Sequence, residues 1–360
     1  MDWTLYQSLI IFIFVLTGTL NTLTAKFADL QESEGSDGEI RHYNHPFIQS
    51  HQMFFGMIFN IILFKILYCI FKKQSEEKVE DHKLTQGNRE FSVFIFWLPA
   101  LCDMVASSTI YIALNLTYAS SYQMLRGAVI IFTALLSYPF FGRIPNLREI
   151  VGIILVIAGL TTIGISDYVD KQESEDPKET LIIIIGDVMV VAAQFLAATQ
   201  VILEEKFVVD KNVPPLQAVG WEGIFGFSTM VVLMVPICFI YVGPPIANNA
   251  SGTLEDVVDG YVQIYNNWKI MVSTIVNILS IAVYNFCGIT VGKELTSTTR
   301  KVLDSLRVVI IWIVSMTVFG QKFQYLQLIG FIILLLGMGF YNDMGCTKIK
   351  EKMFPKEEEN

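Results

Sequence analysis

This chain of 360 residues contains ten apolar blocks, and each is long enough to cross a lipid bilayer. A hydrocarbon core of about 30 Å requires about 20 apolar residues in a helix that rises about 1.5 Å per residue. The blocks lie near residues 5–26, 47–71, 91–115, 120–141, 147–168, 181–203, 216–242, 268–291, 297–319 and 325–343. Most of the connections between them are too short to fold alone, so we predict no soluble domain.

The apolar blocks read as helices because their apolar residues are continuous. A transmembrane β-barrel strand alternates apolar and polar residues, whereas Ile182–Ile185 and Ile332–Leu336 are unbroken apolar runs. A helix also satisfies all of its backbone polar groups within the membrane. The sequence therefore predicts an all-α polytopic membrane protein with ten transmembrane helices.

The distribution of Lys and Arg predicts the orientation, because these residues concentrate in cytoplasmic loops. Fourteen of them lie in one set of connections and in the C-terminal tail, at 72–90, 142–149, 204–215, 292–299 and 344–360. Four lie in the other set, at 27–46, 116–119, 169–179, 243–267 and 320–324. We therefore expect both termini in the cytoplasm. The second set should be luminal, and in it the sequon at Asn249 is a predicted glycosylation site. The acidic segment Glu32–Glu39 of this set reads as a solvated loop.

An internal duplication organises the ten helices. Ser120–Gly159 aligns without a gap to Thr298–Gly337 at an offset of 178 residues, and three glycines coincide in the two stretches. The predicted units are a first five-helix repeat at 1–168, a luminal connection at 169–179, a second five-helix repeat at 180–343 and a charged cytoplasmic tail at 344–360. Because five is odd, the repeats have inverted topology, which is the architecture of alternating-access transporters.

Charged side chains inside the spans are the candidate functional groups. A charge at bilayer depth costs about 2.5–3.5 kcal/mol or more, so it normally faces a cavity or a partner. The duplication places Arg126 opposite Asp304, which predicts either a direct pair or two ends of one binding cavity. Arg300 and Asp304, four residues apart, could instead satisfy each other. Lys65 lies close enough to the cytoplasm to reach water and receives no function.

The predicted substrate-binding residues combine these charges with polar residues of the same spans. They are Lys26, Asp103, Tyr111, Asn115, Gln123, Arg126, Gln200, Glu222, Asn285, Lys293, Arg300, Asp304 and Arg307. Lys293, Arg300, Asp304 and Arg307 are spaced so that they would share one face of a single helix.

Motifs of other functional classes are missing from the sequence. There is no Gly-rich phosphate loop, no nucleophile motif and no basic patch of the kind that binds nucleic acid. The five cysteines have no zinc-like spacing. We therefore predict that the chain is not an enzyme and has no cofactor, no metal site and no nucleic-acid partner.

Several long strings resemble the drug/metabolite transporter superfamily and, within it, the F subgroup of solute carrier family 35. They are Asn21–Lys26, Leu98–Met104, Ser120–Thr133, Leu203–Val208, Gly220–Phe227, Gly252–Asp256 and Lys293–Arg307. The resemblance covers nearly the whole chain. It implies ten helices with both ends cytosolic, and a central cavity formed by the first, third, fourth, sixth, eighth and ninth helices.

The resemblance also implies a nucleotide-sugar-transporter-like protein of an internal membrane; we expect the lysosomal membrane, with the mitochondrial and Golgi membranes as alternatives. The resemblance does not indicate which substrate is transported. From the residues, we expect a secondary active transporter of a small anionic or zwitterionic organic solute, because guanidinium groups suit carboxylates and phosphates. A proton-linked exporter of cationic amines or amino acids and a non-transporting membrane adaptor remain alternatives. The expected partners are the solute and the bilayer, with a homodimer or other membrane proteins left open.

Overall fold

The computed structural model describes residues 4–75, 79–80, 82, 84–117, 119–172, 177–243, 249–295 and 325–341. It also describes positions 300, 303–304, 307, 310–311, 313–314 and 317. The C-terminal tail and most of the predicted ninth span lie outside these residues. The described positions from 300 to 317 are helical, and we call them the ninth-span positions.

Helices make up most of the described chain. They are α1 Leu5–Asp29, α2 Pro46–Gln74, α3 Trp97–Leu116, α4 Ala119–Leu125, α5 Val129–Phe141, α6 Leu147–Gln172, α7 Pro177–Asp210, α8 Pro215–Ile237, α9 Val257–Asn266, α10 Trp268–Glu294 and α11 Tyr325–Tyr341. Short 3₁₀ turns at Val93–Phe96 and Arg126–Ala128 precede α3 and α5. The strands β1, Glu32–Glu34, and β2, Ile40–His42, form an antiparallel hairpin.

Seven of the described helical segments are long and apolar enough to cross a membrane, and they match seven of the ten predicted spans. The fourth and tenth predicted spans correspond to two shorter apolar segments, Arg126–Phe141 and Tyr325–Tyr341. Large apolar side chains such as Leu9, Ile154 and Ile275 are half exposed on these helices. Such surfaces suit lipid tails and not water. The fold is therefore that of an all-α polytopic membrane protein.

Four helix pairs make the most extensive contacts. α1 packs against α10, α3 against α7, α2 against α8, and α6 against α11. The last pair approaches closely through glycines. A Cβ atom on Gly152 would lie 2.8 Å from the Gly337 carbonyl oxygen, and one on Gly159 would lie 2.7 Å from that of Gly330. Small residues permit such close packing of membrane helices.

The predicted luminal loops form a folded cap. The hairpin packs on α9, where the Ser33 hydroxyl donates to the Gln263 carbonyl at 2.9 Å. Most residues of Glu32–Glu39 are solvent-exposed, as expected, but the segment is a hairpin and not a free loop: the Ser36 amide in the β1–β2 turn donates to Asp259 of α9 at 2.7 Å. The acidic composition of this segment gave no sign of its contacts with α9, because they are made by backbone groups and by Ser33.

A buried carboxylate joins this cap to α2. Glu255 is fully buried, and its Oε2 accepts from the amides of Phe47 at 2.9 Å and Ile48 at 3.2 Å. These amides lie in the first turn of α2, where backbone donors lack intrahelical acceptors. The other oxygen of Glu255 lies 2.6 Å from Nδ1 of the buried His45. Glu255 therefore caps α2 from a distant part of the chain.

The fourth predicted span is interrupted. α4 ends at Leu125, a 3₁₀ turn covers Arg126–Ala128, and α5 continues from Val129. A 3₁₀ stretch within a helix tightens the backbone and often marks a functional position. Here it places Arg126 at the break.

Two sequence-based boundaries differ from the structure. α10 ends at Glu294, and the Leu295 backbone leaves the helical region, so Lys293 does not share a helix with Arg300. The predicted connection at 169–179 is helical wherever it is described, because α6 runs to Gln172 and α7 begins at Pro177.

Candidate functional site

A cavity of about 120 Å³ lies at the centre of the helices. It is lined by residues of α1, α3, the α4–α5 break, α7, α10 and the ninth-span positions, with Met53 from α2. These are the six helices that the resemblance implied. Its polar and charged lining residues are Asn21, Thr22, Asp103, Ser107, Tyr111, Tyr122, Arg126, Gln194, Gln200, Tyr284, Asn285, Arg300, Asp304 and Arg307.

One wall of the cavity is built around Asp304 and Arg307. Asp304 Oδ1 lies 2.9 Å from Arg307 Nε and accepts from the Tyr284 hydroxyl at 2.7 Å. The Tyr284 ring stacks on Phe14 at 4.8 Å, and the Arg307 guanidinium lies 4.8 Å from the centre of the Tyr284 ring. Gly18 leaves room for both side chains, since a Cβ there would lie 2.7 Å from Tyr284.

A second ion pair lies deeper in the helix packing. The Arg300 guanidinium binds Glu204 of α7, and both side chains are buried. The other Glu204 oxygen accepts from the Gln200 amide at 2.7 Å. Gly288 of α10 accommodates this guanidinium, because a Cβ atom there would lie 2.8 Å from Arg300 Nε.

The third guanidinium of the cavity has a different environment. Arg126 lies 5.7 Å from the centre of the Tyr122 ring, and none of the ion pairs among the described residues includes it. The predicted direct pair between Arg126 and Asp304 is not formed, because Asp304 binds Arg307. Both residues nevertheless line the same cavity. Arg300 likewise binds Glu204 and not Asp304.

The structure brings together eight of the thirteen predicted binding residues at the cavity. These are Asp103, Tyr111, Arg126, Gln200, Asn285, Arg300, Asp304 and Arg307. Lys26, Glu222 and Lys293 are not part of its described lining. Lys293 donates to the Val213 carbonyl at 3.2 Å, beside the α7–α8 connection. The side chains of Asn115 and Gln123 lie outside the described residues.

Sequence reasoning missed Glu204 and Tyr284, which contact the guanidiniums of Arg300 and Arg307. Glu204 stands beside Glu205 and Lys206 near the end of a span, where charged residues ordinarily face the cytoplasm. Glu205 does lie near that end and pairs with Arg143 at 3.0 Å. Tyr284 offered one signal, because it precedes the predicted Asn285 in an apolar span.

Asn249, the predicted glycosylation site, lies in the cap. Its amide nitrogen donates to the Thr253 carbonyl at 2.6 Å, and its Oδ1 accepts from the Thr253 amide at 3.1 Å. The side chain is half-buried and hydrogen-bonded in the folded cap.

Comparison with known proteins gives a consistent result. Residues 36–165 match the model of the EamA-like transporter family. The human solute carrier family 35 member F6 is 44% identical over 345 residues, which cover 96% of this chain and 91% of that protein. The rat protein of the same name is 43% identical, with 96% and 90% coverage.

Two more distant proteins match over nearly the whole of their length. An uncharacterized protein of Schizosaccharomyces pombe is 27% identical over 333 residues, covering 92% of this chain and 96% of that protein. A protein of known crystal structure aligns with a TM-score of 0.56 and 12% identity, over 94% of this chain and 98% of that one. This last similarity concerns the fold alone. The relatives at 42–44% identity decide the assignment: the chain belongs to the F subgroup of solute carrier family 35, in the drug/metabolite transporter superfamily, and is a solute transporter and not an enzyme.

Proposed function

We propose that the protein is a secondary active transporter that moves a small anionic or zwitterionic organic solute by alternating access. The central cavity is the solute site. Arg126 is the anion-binding group, and the other predicted substrate-binding residues that line the cavity supply the rest of the site. The membrane is an internal one, and we propose the lysosomal membrane.

The observation that carries this proposal is the unequal pairing of the three cavity guanidiniums. Glu204 neutralises Arg300, and Asp304 neutralises Arg307. Arg126 has no ion-pair partner among the described residues and lies at a helix break. A charge within a membrane span normally faces a partner or an aqueous cavity, and a guanidinium provides a planar fork of donors for a carboxylate or phosphate. A solute anion would be such a partner.

Asp103 extends the proposal to zwitterions. Its carboxylate lines the same cavity and accepts from the Ser107 hydroxyl at 3.0 Å. A solute with both an ammonium and a carboxylate could place its two charges on Asp103 and Arg126. The tyrosine hydroxyls and amides nearby would bind its neutral polar groups.

The helix packing supports two inverted repeats of five helices each. Each helix of one repeat corresponds to the helix five spans away, so α1 corresponds to α7 and α3 corresponds to α10. The α1–α10 contact is therefore equivalent to the α3–α7 contact. The α2–α8 and α6–α11 contacts are each equivalent to themselves. These are the four most extensive contacts. The glycine contacts show the same equivalence. Gly152 corresponds to Gly330 and Gly159 to Gly337, and the Gly152–Gly337 contact is matched by the Gly330–Gly159 contact. Such symmetry gives two equivalent access states.

A solute screen tests the proposal. The purified full-length chain would be heated with a panel of organic anions, amino acids, nucleotide sugars and amines, and a binding solute should raise the unfolding temperature. Hits would then be assayed for uptake into proteoliposomes. Stabilisation by anions or zwitterions that is lost in Arg126→Ala but kept in Lys65→Ala is expected. Stabilisation by amines alone would favour the exporter, and no stabilisation at all would favour the adaptor.

A further inference from the structure

A second acidic side chain lies against the Arg300–Glu204 pair. Glu222 of α8 is 1% exposed, and its carboxyl lies within hydrogen-bonding reach of Glu204. One of its oxygens, Oε1, is buried without a hydrogen-bond donor among the described residues. Two ionised carboxylates have only acceptor atoms, so they cannot bond each other. Two carboxyls buried this close are favoured together when a proton neutralises one of them.

If both carboxylates of the pair were ionised, they and Arg300 would leave one negative charge in excess, and Asp103 would add another. Arg300 can neutralise one carboxylate, and it binds Glu204 directly. The other charged groups that influence Glu222 are Glu204 of α7 and Asp103 of α3, which both add negative charge, together with Arg300. An ionised Glu222 would thus be buried beside like charges.

No other cation among the described residues faces this part of α8. α2 presents apolar atoms here, since Met57 and Ile61 pack against Gly223 and Gly220 on either side of Glu222. Lys293 of α10 is directed to the Val213 carbonyl.

We propose that Glu222 and Glu204 hold one exchangeable proton beside Arg300, and that this proton is the coupling ion of transport. This inference rests on the proposed function and deepens it. In the protonated state, the Glu222 carboxyl donates to Glu204, and Arg300 balances the single remaining negative charge. Loss of the proton leaves two carboxylates on one guanidinium. Arg300 then faces two negative charges and can balance only one of them.

The location of the pair links it to the solute site. Arg300 lines the central cavity and also a small second cavity with Glu204, Glu205 and Lys293. Asp103 lies on the cavity wall and within the electrostatic reach of Glu222. A change of charge at the carboxyl pair therefore reaches the solute site through two lining residues. Gln200, which donates to Glu204, is a positioning residue for the pair.

Infrared difference spectra of the full chain in liposomes test the site without any solute. Across a pH titration, the wild type should show a protonated-carboxyl component, a band of about one proton per chain beyond that of its other carboxyls. The band should be lost in Glu222→Gln and shifted in Glu204→Gln. Glu205→Gln is the matched control, because Glu205 is the next residue of α7 and pairs with Arg143, and it should keep the band. An unchanged band in both Glu222→Gln and Glu204→Gln would overturn the site.

Charge movement tests the coupling role. Proteoliposomes on a solid-supported membrane would receive a pH step with no solute, and the wild type should give a transient current that Glu222→Gln loses. A titrating band without any current would overturn the coupling role, because the proton would then be structural. Both measurements are independent of solute uptake, so an intact band and current with no uptake would contradict the proposed function alone.

Discussion

Arg307 Nε lies 2.9 Å from Asp304 Oδ1, and the Arg307 side chain is 3% exposed. Asp304 therefore has a structural partner within its own helical stretch, three residues away. The Tyr284 hydroxyl donates to the same carboxylate oxygen, and the Tyr284 ring covers the guanidinium. This arrangement separates Asp304 from Arg126, although the duplication makes them equivalent.

Asp304→Ala should destabilise the protein as well as abolish transport. It leaves the buried Arg307 without its counter-charge, a loss of roughly 3–5 kcal/mol. The measurement is the unfolding temperature in detergent. The double variant Asp304→Ala with Arg307→Met should recover most of the stability, because both charges are gone. An unchanged unfolding temperature in Asp304→Ala would mean that the pair contributes nothing to stability.

Arg126→Ala should leave the fold intact, because no described carboxylate loses its partner. Solute binding should weaken about 10- to 100-fold, which corresponds to the loss of a charge-assisted hydrogen bond of roughly 1.5–3 kcal/mol. Solute affinity is read from thermal stabilisation and uptake, with Lys65→Ala as the silent control. Exchanging the charges, with Arg126→Asp and Asp304→Arg together, should not restore transport, because it places a second guanidinium beside Arg307. Restoration would indicate a direct pair in another access state.

Gly159→Leu should reduce the amount of folded protein in the membrane. Its side chain would meet the Gly330 backbone at 2.7 Å, and overpacking of this kind costs about 1–3 kcal/mol. Gly164→Leu is the matched control on the same helix, because a Cβ there meets nothing within 4 Å. Gel filtration of detergent extracts measures the difference. Equal yields from the two variants would exclude a packing role for Gly159.

Glu255→Ala should lower the free energy of unfolding by roughly 2–4 kcal/mol, since it leaves two amides of α2 and the His45 ring without their acceptor. Glu255→Gln retains an acceptor oxygen and should be milder. Glu32→Gln, on the exposed face of β1, serves as the control. Thermal unfolding of the purified chain provides the comparison, and equal curves for all three variants would contradict the capping role.

A tag placed after Asn360 should be accessible from the cytoplasm, and Asn249→Gln should remove any N-linked glycan. Protease digestion of sealed cytoplasm-out vesicles should remove the tag. Its protection would contradict ten helices with both ends in the cytoplasm. Mobility shift upon glycosidase treatment measures the glycan.

The helices could be predicted because each apolar block is long and carries its own signal. The cap could not, because the contacts of Ser33 and Glu255 join segments more than 200 residues apart. Neither residue belongs to a periodic pattern. The break at Arg126 was also missed, since Leu125–Val129 reads as ordinary apolar helix apart from one Gly and the Arg itself.

The cavity residues were partly predictable for a similar reason. Charge within a span is costly, so Asp103, Arg126 and Arg300 were recognisable from their positions. Their partners were not, because each charged group has several candidates at similar depth. The local candidate for Arg300, Asp304, was displaced by Glu204, which lies nearly 100 residues earlier. Only the packing of α7 against the ninth-span positions decides between them.

The distant capping of α2 by Glu255 has a mechanical consequence. Asp259, four residues beyond Glu255, also binds the hairpin through the Ser36 amide, and its Oδ2 lies 3.7 Å from His45 Nε2. The hairpin, the start of α2 and α9 are thus connected by buried polar contacts and would shift together as a rigid body. Opening of the cavity toward that end would therefore require movement of elements outside the cap. The 3₁₀ break between α4 and α5 provides a point where the backbone can bend.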